Sequence, residues 1–406
     1  MALFVKSTSV TTHPSIACVA GETSGDLLAA DILQGMKLHP EFADAQYYGI
    51  GGPRMIAQGL QSNWPIEKLS VRGYVEAIRQ LPDILKIRSE LIQSLKQSPP
   101  SVYIGIDAPD FNLGVEKHCR REGIPTVHYI SPSIWAWRGG RIKGILKSVD
   151  HMLCIFPFEP EIYQKAGLKA TYVGHPLASS IPLIPNPVQA KLKLFEEGHL
   201  QYGAIDLDET VITVLPGSRQ SEIRLIAPGF FKAMEIMSES LGGKVRFIVP
   251  VATPRLREPL EQLRTQSQEQ FPDLKIELLN ENSSLALEAA HVVLIASGTA
   301  TLEAALWKKP MVISYTVPWL TGVIMRKQAY LPYVGLPNIL CREFVVPELL
   351  QEDATPENLA RASLEWLQHP EKSQDLVVRF SELHEQLMRP TALLAADAIA
   401  RTMKKF

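Results

Sequence analysis

"LPGSR", residues 215–219, ends an apolar run that begins at Val211 and stands directly before a stretch with helical character. The same order of apolar run, small-residue turn and helical stretch recurs at "CVAGETSGD", residues 18–26, and at "LIASGTATLE", residues 294–303. A buried strand that leads through a short turn into a helix is the repeating unit of parallel α/β sheets. The three stretches therefore predict an α/β fold.

Further short apolar runs alternate with helical patterns along the whole chain. The predicted strands cover residues 16–20, 102–106, 127–130, 152–156 and 172–173 in the first half, and 211–215, 245–251, 276–279, 292–296 and 311–314 in the second. Two Rossmann-like domains are therefore expected, with ligands bound beyond the carboxyl ends of the strands. If the two sheets face each other, these ends lie on either side of one central cleft.

A proline-rich segment separates the two halves. "HPLASSIPLIPNPVQAK", residues 175–191, has prolines at 176, 182, 185 and 187, which cannot continue a helix or a central strand. We place an N-terminal domain at 1–185 and a C-terminal domain at 186–375. After Pro356 the pattern is helical, with Thr355 as a cap, and we expect the last helices, 376–406, to join the N-terminal domain.

Composition excludes several classes of protein. Lys and Arg total 41 against 43 for Asp and Glu, so the chain has no excess of positive charge that would attract nucleic acid. The four cysteines are scattered, which favours buried, reduced thiols in a cytoplasmic enzyme. The first residues lack a signal-peptide pattern, and the uncharged stretch 310–325 is short and contains Pro318 and Gly322, so no membrane span is expected.

The turns of the second half suit a nucleotide diphosphate. A helix that begins at a small-residue turn presents unpaired N–H groups to an anion, and Arg219 adds a planar guanidinium. Glu303, one turn into the later helix, could accept both ribose hydroxyls. Taken alone, each turn is better explained as an ordinary connection, and for Glu303 a solvated helix residue is an equal alternative. Together they predict donor-site residues Gly217, Ser218, Arg219, Ser297, Gly298, Thr299 and Glu303.

Other ways of binding phosphate or metal are not supported. The sequence has no GxxxxGK[ST] loop, and "GIGGPR", residues 49–54, has Arg54 where a dinucleotide fingerprint needs glycine. "DLD", residues 206–208, precedes a strand instead of following one, and the histidines form no ligand cluster. We expect neither a metal nor a cofactor.

Two stretches of the first half carry candidate chemistry. "VYIGIDAPDFN" places Asp107 just past a buried strand, where a carboxylate can take a proton from an attacking hydroxyl, whereas Asp110 fits a helix cap better. A helix cap is the alternative for any isolated Asp at this place. "ISPSIWAWRGGR" brings Trp135, Trp137 and Arg138 into one loop, which suits a sugar phosphate, and packing in the core is the alternative for the tryptophans.

Residues 69–96 form a basic amphipathic stretch that Pro82 is expected to break. Its apolar positions favour a helix packed on its own core, and a patch that binds an interface is the alternative.

In order along the chain, "GETSGD", "GIDAPDFN", "SPSIWAWR", "GHP", "LPGSR.SE", "ASGTATLE" and "PYVGLPN" are similar to the motifs of lipid-A-disaccharide synthases. The resemblance runs from Ile16 to about Pro390. It implies an inverting glycosyltransferase of the GT-B type. Such an enzyme transfers 2,3-diacylglucosamine from its UDP-linked donor to 2,3-diacylglucosamine 1-phosphate, and it releases UDP and the β-1,6 disaccharide 1-phosphate.

The resemblance also assigns roles to residues. Asp107 resembles the family's essential acidic residue and Arg219 the arginine at the UDP phosphates, and both are expected to be catalytic. Asn338 resembles a further contact in the donor pocket. The residues that resemble or suit the acceptor side are Glu22, Ser24, Asp26, Trp135 and Arg138.

The acylated substrates imply a cytoplasmic enzyme bound peripherally to the inner membrane through residues near 69–85, with Leu225 adding to that surface. Arg72 stands where relatives have an apolar residue, which favours anionic headgroups, and Gly335 replaces a common serine. A homodimer is left open. The alternatives are another UDP-sugar transferase with a lipid acceptor, a UDP-sugar 2-epimerase, and a homologue that binds nucleotide sugar without catalysis.

Overall fold

The computed structural model of the protein describes residues 13–69, 74–136, 139–206, 208–280, 282–318 and 330–404, with the backbone alone at residues 23 and 74–79. Contacts divide the chain into two compact units, Met1–Pro176 with Leu387–Phe406, and Leu177–Gln386. The last helix therefore belongs to the first unit, where His39 Nε2 lies 3.3 Å from Asp397 Oδ1.

The first unit contains a parallel sheet in the order β3-β2-β1-β4-β5-β6-β7. Its strands are β1 (Ser15–Ala20), β2 (Gln46–Ile50), β3 (Leu60–Ser62), β4 (Val102–Ile106), β5 (Thr126–Tyr129), β6 (His151–Cys154) and β7 (Lys169–Tyr172). The strand order reverses between β1 and β4. Ligands of open α/β sheets bind at such a reversal, beyond the carboxyl ends of the strands.

The second unit repeats this plan with the order β10-β9-β8-β11-β12-β13. Its strands are β8 (Thr210–Leu215), β9 (Val245–Val251), β10 (Lys275–Asn280), β11 (Val292–Ala296), β12 (Met311–Tyr315) and β13 (Glu348–Leu350). Here the order reverses between β8 and β11. The predicted α/β fold with two Rossmann-like domains is confirmed.

The helices cover both faces of the sheets. They are α1 (Thr23–Leu38), α2 (Pro53–Ala57), α3 (Tyr74–Gln97), α4 (Pro109–Arg121), α5 (Ile142–Ile145), α6 (Glu159–Lys165), α7 (Pro176–Ser180), α8 (Pro187–Glu196), α9 (Gln220–Ser240), α10 (Arg257–Gln270), α11 (Ser283–Ala289), α12 (Ala300–Leu306), α13 (Leu336–Cys341), α14 (Pro356–Gln368), α15 (Pro370–Leu387) and α16 (Thr391–Met403). Thr355 accepts the N–H of Asn358 as the predicted cap of α14.

Each sheet packs against the apolar face of a long helix. In the first unit Leu91 and Leu95 of α3 join a buried cluster with Tyr103 of β4. In the second, Phe230 and Met234 of α9 are buried against β8, β9 and β11. These two layers hold the carboxyl ends of the strands in fixed positions, which is what a binding site built there requires.

Proline has a different effect from the one predicted at two places. The proline-rich segment after His175 contains α7 and α8, because Pro176 and Pro187 each stand at a helix start, where the missing N–H costs nothing. Helix α3 also continues through Pro82, which does not break it. Pro82 is exposed, so water can bind the carbonyl that loses its partner.

Within the described residues, no helix is both long enough and apolar enough to cross a bilayer. Part of the stretch 310–325 lies outside those residues, as do Val71 and Arg72 of the predicted membrane patch. Among the described residues of that patch, Leu81 and Leu85 are exposed, whereas Ile84 packs against the core together with Ile87 and Leu91 further along α3. The described part of α3 therefore packs against the core of its unit and also has apolar side chains at the surface.

Candidate active site

Asp107 lies at the strand reversal of the first unit. It directly follows Ile106, which pairs with Ala20 of β1, and it is half-buried. Asp107 and Ala108 both have left-handed backbone conformations, with φ of 51° and 42°, which are rare for residues other than glycine. The N–H of Asp107 donates to the carbonyl of Tyr129 at 2.9 Å. The carboxylate is therefore carried on a constrained turn at the edge of the sheet.

The "GETSGD" turn lies against the turn of Asp107. A Cβ added at Gly21 would lie 2.5 Å from the Cβ of Ala108, so only glycine allows the two turns to approach this closely. Glu22 stands at the N-cap of α1, and both Glu22 and Ser24 are exposed. The structure thus brings these two predicted acceptor residues to the same sheet edge as Asp107.

Asp26 has a different position from its neighbours in the motif. Its side chain is buried, and its two carboxylate oxygens accept the backbone N–H groups of Gly52, Arg54 and Met55 at 2.8–3.0 Å. This carboxylate therefore satisfies the N-terminus of α2, the helix start inside "GIGGPR". Asp26 orders the sheet edge, and its contact with an acceptor stays a prediction.

Asp110 is not the cap that the sequence predicts. The N-cap of α4 is Ala108, and Asp110 lies in the first turn, exposed and ion-paired with Arg141. The two carboxylates of "GIDAPDFN" are therefore in different environments. Asp107 is held by backbone bonds at the strand end, and Asp110 forms a surface ion pair.

Trp135 lies in an aromatic cluster beyond β5 and β6. Its ring meets Phe156 and Phe158 edge-on at 6.1 and 5.3 Å, and its Nε1 donates to Glu159 at 3.0 Å. Glu159 is fully buried and also accepts the N–H groups of Ile155 and Phe156. Burial raises the pKa of Glu159 to about 7. Trp137 and Arg138, the other candidates of this loop, lie outside the described residues.

In the second unit, "LPGSR" ends β8 and begins α9, as predicted. Gly217 has a φ of 127°, and an added Cβ would lie 2.5 Å from the Cβ of Glu222, so glycine is required. Glu222 accepts the N–H groups of Ser218 and Arg219 through one carboxylate oxygen. Its other oxygen accepts Nη1 of Arg219 at 2.8 Å. The amides that the sequence assigns to a phosphate are thus bound by a carboxylate of the same helix.

The second predicted turn lies beside the first, because β8 and β11 are neighbours with Leu215 opposite Ile295. Gly298 and Thr299 are exposed, and Ser297 is half-buried. Glu303 accepts the hydroxyl of Ser284 at 2.9 Å, and burial raises the pKa of its carboxyl above the usual range. The donor-site candidates of both turns therefore share one sheet edge.

Asn338 is buried, and its amide is used within the protein. It donates to the carbonyl of Val346 and to Glu348, and it accepts the N–H groups of Val345 and Val346. Its side chain therefore holds the "PYVGLPN" loop together, and a direct bond to the nucleotide stays a prediction.

Glu348 fixes the same loop by accepting the N–H groups of Val334 and Gly335 at 2.8 Å. The space beside Gly335 is filled by Ile313, whose Cδ1 would lie 2.2 Å from an added Cβ. A serine at position 335 would therefore require Ile313 to move.

Across the described ranges, no three side chains of His, Cys, Asp and Glu are grouped so as to hold a metal ion. Cys18, Cys119 and Cys154 are buried free thiols, as predicted, and Cys341 is half-buried. The predicted independence of metal and cofactor stays a prediction.

Three residues that organise these turns were not assigned from sequence, namely Asn112, Glu159 and Glu222. Glu222 has a local signal, because it stands three residues after the cap position of α9, the spacing of a capping box. Asn112 is part of the quoted motif "GIDAPDFN", but the motif does not show that its amide binds the preceding strand and turn as well as the distant carbonyl of Val19. Glu159 has no local pattern that distinguishes it from a solvated glutamate.

Comparison with known proteins gives a consistent result. The family model described as lipid-A-disaccharide synthetase matches residues 16–401. A lipid-A-disaccharide synthase of Burkholderia thailandensis is 56% identical over 389 residues, and one of Paraburkholderia phytofirmans is 54% identical over 390. In both cases the match covers 96% of this chain and 96% of the relative.

Solved structures with low sequence identity share the fold. A UDP-GlcNAc 2-epimerase from Neisseria meningitidis, bound to UDP-GlcNAc, has a TM-score of 0.58 at 12% identity, and the match covers 97% of this chain and 100% of the epimerase. MurG of Acinetobacter baumannii has a TM-score of 0.57 at 15% identity, covering 95% and 99%. The predicted GT-B type of fold is confirmed by these likenesses, which carry no argument about the reaction.

Proposed function

The chain belongs to the lipid-A-disaccharide synthase family and is a UDP-sugar-dependent glycosyltransferase, and from this premise we propose how its residues divide the reaction. The proposed donor is UDP-2,3-diacylglucosamine and the proposed acceptor is 2,3-diacylglucosamine 1-phosphate. The donor is α-linked and the product is β-linked, so the transfer inverts the anomeric carbon in a single displacement. Such a displacement needs one base and a stabilised leaving group.

Asp107 is the proposed base. Its carboxylate takes the proton of the 6-hydroxyl of the acceptor while that oxygen attacks the anomeric carbon of the donor. The bond between this carbon and the diphosphate oxygen breaks, and its electron pair leaves with UDP. The observation that carries this assignment is the position of Asp107, half-buried on a left-handed turn at the strand reversal of the first unit.

Arg219 and the turns that follow β8 and β11 are the proposed site for UDP. The guanidinium stabilises the charge that develops on the departing diphosphate, and the exposed N–H groups near Gly298 and Thr299 can add to it. Glu303 is proposed to accept the ribose hydroxyls. Because guanidinium and amide groups can carry the diphosphate charge, we propose that no metal is needed, and full activity in excess EDTA is the expected result.

The acceptor is proposed to bind at the edge formed by "GETSGD" and Asp107, and Trp135 and Arg138, the latter outside the described residues, stay proposed acceptor contacts. Since both substrates carry acyl chains, we propose that the protein works at the cytoplasmic face of the inner membrane as a peripheral enzyme. Leu81 and Leu85 of α3 and Leu225 of α9 are exposed apolar side chains that support this proposal. Contact with lipid would remove these apolar side chains from water.

Incubation of the purified protein with the two acylated glucosamine substrates tests the function directly. The expected result is release of one UDP for each disaccharide 1-phosphate formed, with a β linkage by NMR. Binding of both substrates without UDP release would instead indicate a homologue that binds nucleotide sugar without catalysis. Equal activity toward a donor and an acceptor without acyl chains would contradict the proposed substrates.

A further inference from the structure

Asn112 of α4 is a fully buried polar side chain outside the set of residues proposed to touch substrate. Its Nδ2 donates to the carbonyl of Asp107 at 2.8 Å and lies 3.2 Å from the carbonyl of Val19 and 3.3 Å from that of Ile106. Its Oδ1 accepts the hydroxyl of Tyr103 at 2.8 Å. A buried amide with this many partners is bound in one orientation, because any rotation would leave buried groups unpaired.

The three carbonyls share one location, since they belong to the ends of neighbouring strands. Val19 is the last residue but one of β1, Ile106 is the last residue of β4 and Asp107 follows it, where the strand order of the first sheet reverses. Carbonyls at a strand end lose the regular ladder and need other donors. The two N–H groups of the Asn112 side chain are shared among these carbonyls, at the place where the proposed base stands.

The turn that Asn112 binds has an unfavourable backbone conformation. Left-handed φ values at Asp107 and Ala108 cost free energy, and such residues persist only where their surroundings hold them. The carbonyl of Ala108 accepts the backbone N–H of Asn112 at 3.0 Å, so Asn112 binds both left-handed residues. With the N–H of Asp107 bound to Tyr129, the peptide groups on both sides of the Asp107 side chain are fixed.

We infer that Asn112 is a positioning residue for the base, whose side-chain amide holds the left-handed turn that aims the Asp107 carboxylate at the acceptor hydroxyl. The inference rests on the role proposed for Asp107. Asn112 touches neither substrate, and it acts by limiting the directions in which the carboxylate can point. A displacement of about 1 Å at a reacting group can slow an enzyme about 100-fold.

Asn112→Ala removes the side-chain donors and tests the inference. We expect kcat to fall about 30- to 100-fold, with the Kd for UDP and the KM for the acceptor within about threefold of the wild type. Asn112→Ser retains one hydroxyl donor, on a side chain one bond shorter than that of asparagine, and is expected to recover part of the rate. Tyr103→Phe is the matched control, because it removes the bond to Oδ1 and leaves the Nδ2 donors, and its kcat should stay within about threefold.

Thermal unfolding and circular dichroism report whether each variant folds, and Asn112→Ser carries the test if Asn112→Ala does not. A fall in kcat that is the same for Tyr103→Phe as for Asn112→Ala would overturn the inference, because it would indicate general loss of core structure. A normal kcat in folded Asn112→Ala would overturn it as well.

A double-mutant cycle with Asp107→Asn separates this inference from the proposed function. If Asn112 acts through the base, Asn112→Ala should slow the Asp107→Asn enzyme by no more than about threefold. An equal loss in both backgrounds would contradict the positioning role and leave the base assignment intact. Normal turnover of Asp107→Asn alone would instead refute the base assignment, whatever Asn112 does.

Discussion

Nη1 of Arg219 lies 2.8 Å from Oε1 of Glu222, and the other oxygen of the same carboxylate accepts the N–H groups of Ser218 and Arg219 at 2.9 and 3.2 Å. The N-terminus of α9 is therefore already bound by the carboxylate of Glu222 from the same helix. The Arg219 side chain is nevertheless 73% exposed, so its remaining donors face solvent. A diphosphate bound here would meet a guanidinium that Glu222 already orients and partly neutralises.

Replacing Arg219 by alanine should weaken UDP binding as well as slow the transfer. A charge-assisted, two-pronged contact to phosphate is lost, and we expect the Kd for UDP to rise about 10- to 100-fold. Isothermal calorimetry measures this directly. Arg224→Ala is the matched control, since Arg224 is an exposed arginine of the same helix. Wild-type affinity in Arg219→Ala would remove Arg219 from the donor site.

Glu222→Gln should have the opposite effect on the same measurement. The change keeps a hydrogen-bond acceptor for the helix start but removes a negative charge next to the proposed diphosphate site. We expect the Kd for UDP to fall about three- to tenfold at low ionic strength, with a smaller change at 0.5 M salt because salt screens the exposed Arg219 side chain and its attraction to the diphosphate. Weaker binding would instead mean that the full charge of Glu222 is needed to hold Arg219 in place.

Asp107→Asn should preserve UDP binding and remove turnover. The amide has nearly the shape of the carboxylate but cannot take a proton, so kcat is expected to fall about 100- to 10,000-fold. Steady-state UDP release gives kcat, and calorimetry gives the Kd for UDP. Asp110→Asn changes an exposed carboxylate three residues away that pairs with Arg141, and it should leave kcat nearly unchanged. Equal losses in the two variants would argue against Asp107 as the base.

Much of the fold could be predicted because central parallel strands are apolar throughout. β4, β9 and β11 have the bounds that their apolar runs predict. β2, β3 and β13 were not predicted, since each is short or mixes polar with apolar residues, and β3 and β13 lie at the edges of their sheets. An edge strand has a neighbour on one side only and need not be apolar throughout, so its sequence is hard to recognise as a strand.

The candidate site was predictable only as far as local sequence reaches. Glycine and serine at strand ends indicate the turns at 21, 217 and 298, because few residue types can adopt them. The partners of Asp26 depend on how distant segments pack, and those of Asn112 and Asn338 depend on how the chain folds around each side chain. Asn338, for example, belongs to a predicted donor motif, yet its amide is bound within its own loop. Residue type and spacing contain no information about such contacts.

The membrane proposal can be tested on described residues. Leu81 and Leu85 are 49% and 42% exposed on α3. The double change Leu81→Ser with Leu85→Ser should reduce the fraction that sediments with anionic phospholipid vesicles by about fivefold or more, because each leucine loses apolar contact with lipid. Leu38→Ser, at an exposed leucine of α1, is the control. Equal sedimentation of the double variant and the wild type would place the membrane contact elsewhere.

The pH dependence of stability should reveal the buried carboxyl that holds Trp135. Burial raises the pKa of Glu159 from its usual 4.5 to about 7 in the folded protein, so the folded state binds a proton more tightly than the unfolded chain. The contribution of this group to stability is therefore fully present below about pH 4.5 and is lost as the pH rises through about 7. His175, stacked on Phe156 nearby, has a pKa lowered by burial to about 4, so its contribution changes in the opposite direction between about pH 6.5 and 4.

Comparing the wild type with Glu159→Gln, whose side chain cannot titrate, isolates the contribution of Glu159. Between pH 4.5 and 7, the wild type should lose up to about 3 kcal/mol of free energy of unfolding relative to Glu159→Gln, as measured by urea titration. Above about pH 8 the difference between the two proteins should stay constant. Glu161→Gln, at an exposed carboxylate on the same helix, should show no such change above pH 5. A difference that is flat from pH 5 to 8 for Glu159→Gln would mean that the three N–H donors around this carboxylate offset its burial.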